Sequence, residues 1–214
     1  MKEQINFLLA GVGGQGTILA SDVLVTVGLA AGYQAKQAEI HGMSQRGGSV
    51  TSHVRWGRVV HSPMAGAGEV DALLAFEEVE ALRNLNQLRP GALVLVNLET
   101  IQPISVSSGG QAYPPDDRLR STVARVTEHA VYVDGPGIAL GLGNSKVANV
   151  VLLGALSAML ETGSLVGPDL GADAWLKVIA ERVPARFASL NRQAFLAGRQ
   201  AVVPAQTAGG PARA

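Results

Sequence analysis

The 214-residue chain is long enough to bury a hydrophobic core unaided, and with 47% hydrophobic and 16% charged residues its body is not disordered. Seventeen basic residues balance seventeen acidic ones, so no global field draws it to nucleic acid or an anionic membrane. Cysteine is absent, which excludes disulfides, thiolate zinc sites, a cysteine nucleophile and a cysteine-ligated iron–sulfur cluster in this chain, though not in a partner.

Ile5 to Ala10 is a short apolar run that reads as a buried parallel strand; it is too short for the core of a signal peptide. Gly11 to Gly16 forms a turn, and Thr17 to Leu29 has helical periodicity with Gly32 as its stop. A strand near Tyr33 to Ala38 completes a β-loop-α-β opening, and His41 to Gly48 is a second glycine-bearing loop. Val50 to Trp56 alternates with period two, and Gly57 then turns towards Val59 and Val60, which predicts a hairpin and some antiparallel pairing. Val70 to Phe76 reads as a strand and Glu77 to Leu88 as a helix, broken by Arg89-Pro90-Gly91 before a buried strand over Ala92 to Leu98.

The Pro-, Gly- and Ser-rich stretch Ile101 to Asp117 reads as a surface excursion. A helix over Arg118 to Glu128 and a last strand at Ala130 to Val133 follow. Val147 to Leu160 is a buried helix, too short to span a bilayer. Two closing helices, Ala172 to Val183 and Ala185 to Val202, are separated by Pro184. The expected architecture is a three-layer α/β/α domain over residues 1–203 with a mixed, mostly parallel sheet and a Rossmann-like opening. The tail 204–214 is expected to be disordered, and the expected compartment is the cytoplasm. The low charge fraction fits either a surface covered by another protein or a large buried sheet.

Gly11-Val12-Gly13-Gly14-Gln15-Gly16 matches G-x-G-x-x-G between a strand and a helix, the context in which that spacing carries meaning. Glycines let the backbone approach a phosphate, and the helix end offers unpaired N–H groups and the positive end of the helix dipole. Glu39 lies where a dinucleotide fold places its ribose-binding acid, so an NAD- or NADP-binding oxidoreductase or binding module is one reading. In the second loop Ser44, Gln45 and Arg46 supply donors, Gly47 and Gly48 permit close approach, and Arg46 can fork onto a phosphate or carboxylate.

His41, His53, His61 and His129 lack metal-site spacing, and no serine sits in a nucleophile elbow. Asp134 either meets a ligand at a strand end or caps the next turn; Asn144 or Ser145 can cap the apolar helix; Lys146 can reach a phosphate. Asn149, inside that helix, needs a partner if buried.

Three stretches in this order, GVGGQGTILASDVL (Gly11 to Leu24), EIHGMSQRGGSVTSHVRWG (Glu39 to Gly57) and GNSKVANVVLLGAL (Gly143 to Leu156), resemble the gamma-type domain of the 2-oxoacid:ferredoxin oxidoreductases. The HGMSQRGG loop is most similar to the beta subunits of the indolepyruvate branch, and the resemblance spans Met1 to Val202. It implies a subunit, inactive alone, of an enzyme that decarboxylates an arylpyruvate such as indolepyruvate oxidatively to an acyl-CoA and passes electrons to ferredoxin. By the same resemblance, thiamine diphosphate with Mg and the iron–sulfur clusters belong to a larger alpha subunit, and coenzyme A is received at the shared site. Gly11, Gly13, Gly14, Gln15, Gly16 and Thr17 would then line a phosphate-bearing ligand or the partner's active site, with Gln45, Arg46, Gly47 and Gly48 as a second edge. Pyruvate-type relatives resemble this pattern with different residues in both loops, so the loops are carried over and individual contacts are not.

Overall fold

In the computed structural model, which describes residues 4–42, 48–103, 106, 109–110, 112–163, 165–166 and 170–202, every strand of the sheet except one runs in the same direction. The strands are β1 (Gln4–Val12), β2 (Gln34–His41), β3 (Ser49–Gly57), β4 (Val70–Ala75), β5 (Leu88–Asn97) and β6 (Ala130–Val133), in the spatial order β2-β3-β1-β4-β5-β6. β1, β4, β5 and β6 are parallel neighbours, whereas β3 lies antiparallel between β1 and β2. The helices are α1 (Thr17–Ala30), α2 (Glu78–Arg83), α3 (Asp116–Ala124), α4 (Gly135–Gly141), α5 (Ala148–Thr162), α6 (Ala172–Arg182) and α7 (Ala188–Val202).

Alternation along the central strands divides the core. Ile5, Phe7, Leu9, Val54, Trp56 and Leu74 face α1, α5, α6 and α7, while Leu8, Ala10, Leu73, Val94 and Val96 face α2 and α3. The expected three layers and mixed sheet are therefore present. In α5 every residue from Asn149 to Leu160 is buried, because it lies between the sheet and α7. On α7 the buried set Asn191, Ala194, Phe195 and Gly198 forms one stripe at helical spacing. Gly154 lies against the Phe195 backbone and Gly198 against that of Val151, so the two helices cross at backbone contact. Trp56 anchors the other end: its Nε1 donates to Leu24 O (3.1 Å), and its ring packs on Phe7 and Tyr33.

Three sequence expectations are corrected. The hairpin into Val59 and Val60 does not form, because both edges of β3 are already occupied by β1 and β2. Val60 is instead buried, its N–H donating to Gln34 Oε1 (3.0 Å). Arg89-Pro90-Gly91 does not break β5. The pairing with β4 jumps from Val70↔Leu88 to Ala72↔Leu93, and the resulting bulge places the proline where no ladder bond is required. The helix expected over Glu77 to Leu88 stops at Arg83, followed by a single 3-10 turn at Leu85–Gln87. Gly135–Gly141 was read only as a glycine-bearing connection and is helical, with Pro136 in its first turn. The tail 204–214 lies outside the described residues.

Candidate functional site

The chain leaves β1 and enters α1 on one face of the sheet, whereas β4 feeds α2 on the other face. The gap between the ends of β1 and β4 is thus a topological switch point, where parallel sheets open a crevice beyond their carboxyl ends. A cleft of about 580 Å³ lies there. Gly13, Gly14 and Gly16 form one wall, Asn97, Glu99 and Pro136 the floor, and Ser145, Lys146 and Asn149 the opposite wall. Gly13, Gly14 and Gly16 also border a second cleft of about 470 Å³, shared with His41, Gly42 and Val50, so the glycine loop is the ridge between two hollows.

The predicted loop residues divide into two kinds. Gly13 and Gly14 are exposed, and Gly14 (φ 105°) and Gly16 (φ 78°) adopt backbone angles that L side chains rarely take. The N–H groups of Gly14 and Gly16 have no acceptor among the described residues, no side chain caps α1, and its first turn holds no acid. Those orphan donors and the helix dipole make this the anion-seeking wall of the cleft.

Gly11, Gln15 and Thr17 serve the fold. Gly11 is the penultimate residue of β1, and a Cβ there would meet Gln15 Oε1 at 2.8 Å and Phe76 Cβ at 2.9 Å. Thr17 is buried. Gln15 Oε1 accepts from Val12 N (2.7 Å), and Gln15 Nε2 donates to Phe76 O (2.8 Å) and Glu99 Oε2 (2.9 Å).

Of the second loop, Gln45, Arg46 and Gly47 lie outside the described residues. Gly48 is adjacent to the first loop: its carbonyl accepts from Gly13 N (3.2 Å). The base of this loop is fixed by Gly42 N donating to Ser49 O (3.1 Å) and by Ser49 Oγ donating to Glu80 Oε2 (2.6 Å).

On the opposite wall, Asn144 caps the turn before α5 by accepting from Lys146 N (3.0 Å), which leaves the exposed Lys146 ammonium without an ion-pair partner among the described residues. Asn149 is only 7% exposed; its Oδ1 accepts from Val150 N (2.9 Å), while its Nδ2 faces Gly16 and has no acceptor among the described residues. A 93%-buried amide with idle hydrogens at a cleft wall is costly unless something occupies the cleft. Asp134 is a cap, accepting from Gly137 N (2.8 Å).

Glu99 and Asn97 went unnoticed in the sequence. The signal that would have found them is their place just beyond the carboxyl end of a central parallel strand. Glu99 and Lys146 are the two charged side chains lining the cleft among the described residues, one on the floor and one on the rim. The buried His53 has its pKa pushed down by desolvation, and its Nδ1 has no partner; it stands on β3, away from both clefts.

The topology bears directly on the dinucleotide alternative. Glu39 sits on β2, and the inserted β3 separates that strand from β1, so about 10 Å of sheet lies between the acid and the strand that carries the glycine loop. Glu39 is paired with His41 (3.2 Å) instead. A ribose held by the first loop would not meet it, and the self-contained NAD reading is not favoured.

Comparison with known proteins agrees. Residues 6–201 match the family model described as pyruvate ferredoxin/flavodoxin oxidoreductase. The chain belongs to this family. It is 39% identical over 202 residues to the indolepyruvate oxidoreductase subunit IorB of Thermococcus kodakarensis, covering 94% of this chain and 96% of that one. The IorB subunit of Archaeoglobus fulgidus is 33% identical over 195 residues, with 91% and 94% covered. Among solved structures, the gamma subunit of a keto/oxoacid ferredoxin oxidoreductase from Geobacter sulfurreducens superposes with a TM-score of 0.65 at 26% identity, covering 92% of this chain and 98% of that one. The 2-oxoglutarate:ferredoxin oxidoreductase of Magnetococcus marinus, solved with 2-oxoglutarate, coenzyme A and succinyl-CoA bound, shares the fold (TM-score 0.68, 18% identity) over 94% of this chain and 31% of that much longer one. The family resemblance read from the three sequence stretches is thus borne out, and this member of the pyruvate ferredoxin/flavodoxin oxidoreductase family is homologous to subunits of multi-subunit 2-oxoacid oxidoreductases. No helix among the described residues is long and apolar enough to cross a membrane.

Proposed function

We propose that this chain is the small subunit of an arylpyruvate-type (indolepyruvate) 2-oxoacid:ferredoxin oxidoreductase, and that its cleft receives the phosphate-bearing part of coenzyme A beside the active site of a larger cytoplasmic partner. The observation that carries the cleft assignment is the uncapped end of α1, with free N–H groups at Gly14 and Gly16, facing the idle Nδ2 of Asn149 across the same cleft. Orphan helix donors, a buried amide and a rim ammonium suit the oxygens of a phosphate ester. The relatives' names supply the substrate class, and the coenzyme A bound to the Magnetococcus enzyme supports the choice of ligand.

Coenzyme A, when bound, supplies the thiol that accepts the acyl group. This chain's residues hold and orient its phosphate end: the Gly13–Gly16 backbone fixes the oxygens, Asn149 adds a donor from below, and Lys146 adds charge from the rim. Gln45, Arg46, Gly47 and Gly48 form the second edge in this reading. With no cysteine in the chain, thiolate-held iron–sulfur clusters belong to the partner, as do thiamine diphosphate and its Mg, and ferredoxin is reached through the complex.

Co-expression with the larger subunit tests the proposal. The chain alone is expected to be inactive, and the complex to reduce ferredoxin in an indolepyruvate- and coenzyme A-dependent reaction. Lys146→Ala is expected to raise the KM for coenzyme A about fivefold to twentyfold with kcat nearly unchanged, the mark of a contact made equally in ground and transition states. Full coenzyme A-dependent activity from the larger subunit alone would overturn it.

A further inference from the structure

The glycine loop does not hold its own shape. Gln15 Nε2 donates to Phe76 O (2.8 Å) and Glu99 Oε2 (2.9 Å), and Asn97 Nδ2 donates to the same two oxygens (3.0 Å each). Two amides therefore share two acceptors in a closed ring of four hydrogen bonds. At the outer ends, Gln15 Oε1 accepts from Val12 N (2.7 Å) and Asn97 Oδ1 accepts from Gly135 N (3.1 Å).

These contacts leave no freedom. Both hydrogens of each amide are committed, and turning either amide over would set its NH₂ against a backbone N–H. Asn97 is 1% exposed, so its hydrogen bonds face no competition from water. A Cβ at Gly135 would lie 2.7 Å from Asn97 Oδ1, and one at Gly11 would lie 2.8 Å from Gln15 Oε1, so the backbone closes on the ring from both sides. The chain Val12–Gln15–(Phe76, Glu99)–Asn97–Gly135 links the carboxyl ends of β1, β4, β5 and β6. It joins the glycine wall of the cleft to the start of α4 on its floor.

We infer that Gln15, Asn97 and Glu99 form one positioning unit, which aims the free N–H groups of the glycine loop and couples that loop mechanically to Gly135. Gln15 and Asn97 act through backbone, with no hydrogen left for a ligand, and the Glu99 carboxylate is the charged acceptor that ties the two amides together. Its kinetic consequence rests on the coenzyme A reading above; its structural consequence does not.

Amide hydrogen exchange on the full-length chain tests the unit directly. Asn97→Ala is expected to speed exchange about tenfold or more at the remote Val12 amide as well as at Gly135, and Gln15→Met at Gly135 as well as at Val12, while Leu152 in α5 stays protected as the control for global unfolding. Changes confined to each variant's own neighbour would overturn the inference.

In the assembled enzyme, Gln15→Glu places a second carboxylate where a donor is required. The KM for coenzyme A is expected to rise about tenfold near pH 8 and to recover towards pH 6, as the two carboxylates come to share a proton, with kcat within about threefold. Glu99→Gln, whose amide oxygen can still accept from both neighbours, is expected to stay within about threefold of the parent, whereas Glu99→Ala is not. A Gln15→Glu defect independent of pH would count against the positioning role. Coupled exchange with an unchanged coenzyme A KM would uphold the unit and overturn the coenzyme A reading.

Discussion

Alanine at Gly16 tests the link between the glycine loop and α5. Gly16 sits at φ 78° and ψ 25° as the residue before α1, and a Cβ built on it stands 2.6 Å from Asn149 Nδ2 and 3.2 Å from Cγ. A left-handed alanine costs about 1–2 kcal/mol, partly offset by the roughly 0.4–1 kcal/mol gained from a stiffer unfolded chain. The clash falls on the far end of a side chain, so it is relieved by rotating Asn149, which breaks its bond to Val150 N at a net cost of about 1 kcal/mol. The total of about 2 kcal/mol corresponds to a fall in melting temperature of roughly 4–8 °C for a chain of this size. Thermal denaturation of four proteins (parent, Gly16→Ala, Asn149→Ala and the double variant) resolves the two contributions. In the Asn149→Ala background the alanine at 16 is expected to cost only its backbone share, about 1 kcal/mol. Gly14→Ala, with nothing within 4 Å of its Cβ, should cost the same with or without Asn149. Equal cost of Gly16→Ala in both backgrounds would refute the packing argument, and so would a melting point within about 1 °C of the parent.

Burial, the dominant cause, pushes the Glu78 carboxyl pKa up; nearby Asp116 and Glu77 add to this, and the Thr100 bond and Arg120 oppose it. Because the folded value lies above the unfolded one, the stabilising share of this group is present in acid and lost as pH rises through the folded value. Glu78→Gln, which keeps an acceptor for Thr100 Oγ1, should therefore melt higher than the parent at pH 7, and the gain should vanish below about pH 4; a pH-independent difference would contradict this. Tyr113 Oη donates to Glu77 Oε1 (2.5 Å), and burial followed by that carboxylate raises the phenol pKa, so the ring stays a neutral donor at working pH. Tyr113→Phe strips a buried carboxylate of this donor and should cost about 1–3 kcal/mol in urea denaturation. Gly198→Ala drives a Cβ into the Val151 backbone, so α5 and α7 must separate; a cost of at least about 2 kcal/mol is expected, and a neutral result would show that the helix crossing is looser than described.

Much of the molecule is legible from residues alone, because its signals are local. Apolar runs, helical periodicity and glycine punctuation located all six strands and most of the helices to within a few residues, including Ala130–Val133 without error. The G-x-G-x-x-G spacing between strand and helix identified the loop that ends at an uncapped helix. Pairing was not legible. Val50 to Trp56 reads as half of a hairpin because the sequence signal ends at Gly57, yet the partners of β3 lie tens of residues earlier, at β1 and β2. Proline and glycine at 90 and 91 read as a break because a bulge depends on what the neighbouring strand does.

The same distinction governs the site. The sequence by itself determined that a glycine loop would meet a helix end, that no thiolate chemistry could reside in this chain, and that Asn149 would need an explanation if buried. It could not tell that Gln15 and Thr17 turn inward while Gly13, Gly14 and Gly16 face the cleft, because that depends on contacts with Phe76 and Glu99, about sixty and eighty-four residues away. Nor could it tell that β3 separates Glu39 from the glycine loop, since strand order arises from long-range pairing and leaves no periodic mark. Local propensity sets which elements form; only their assembly decides which polar atoms are spent on one another and which remain free for a ligand.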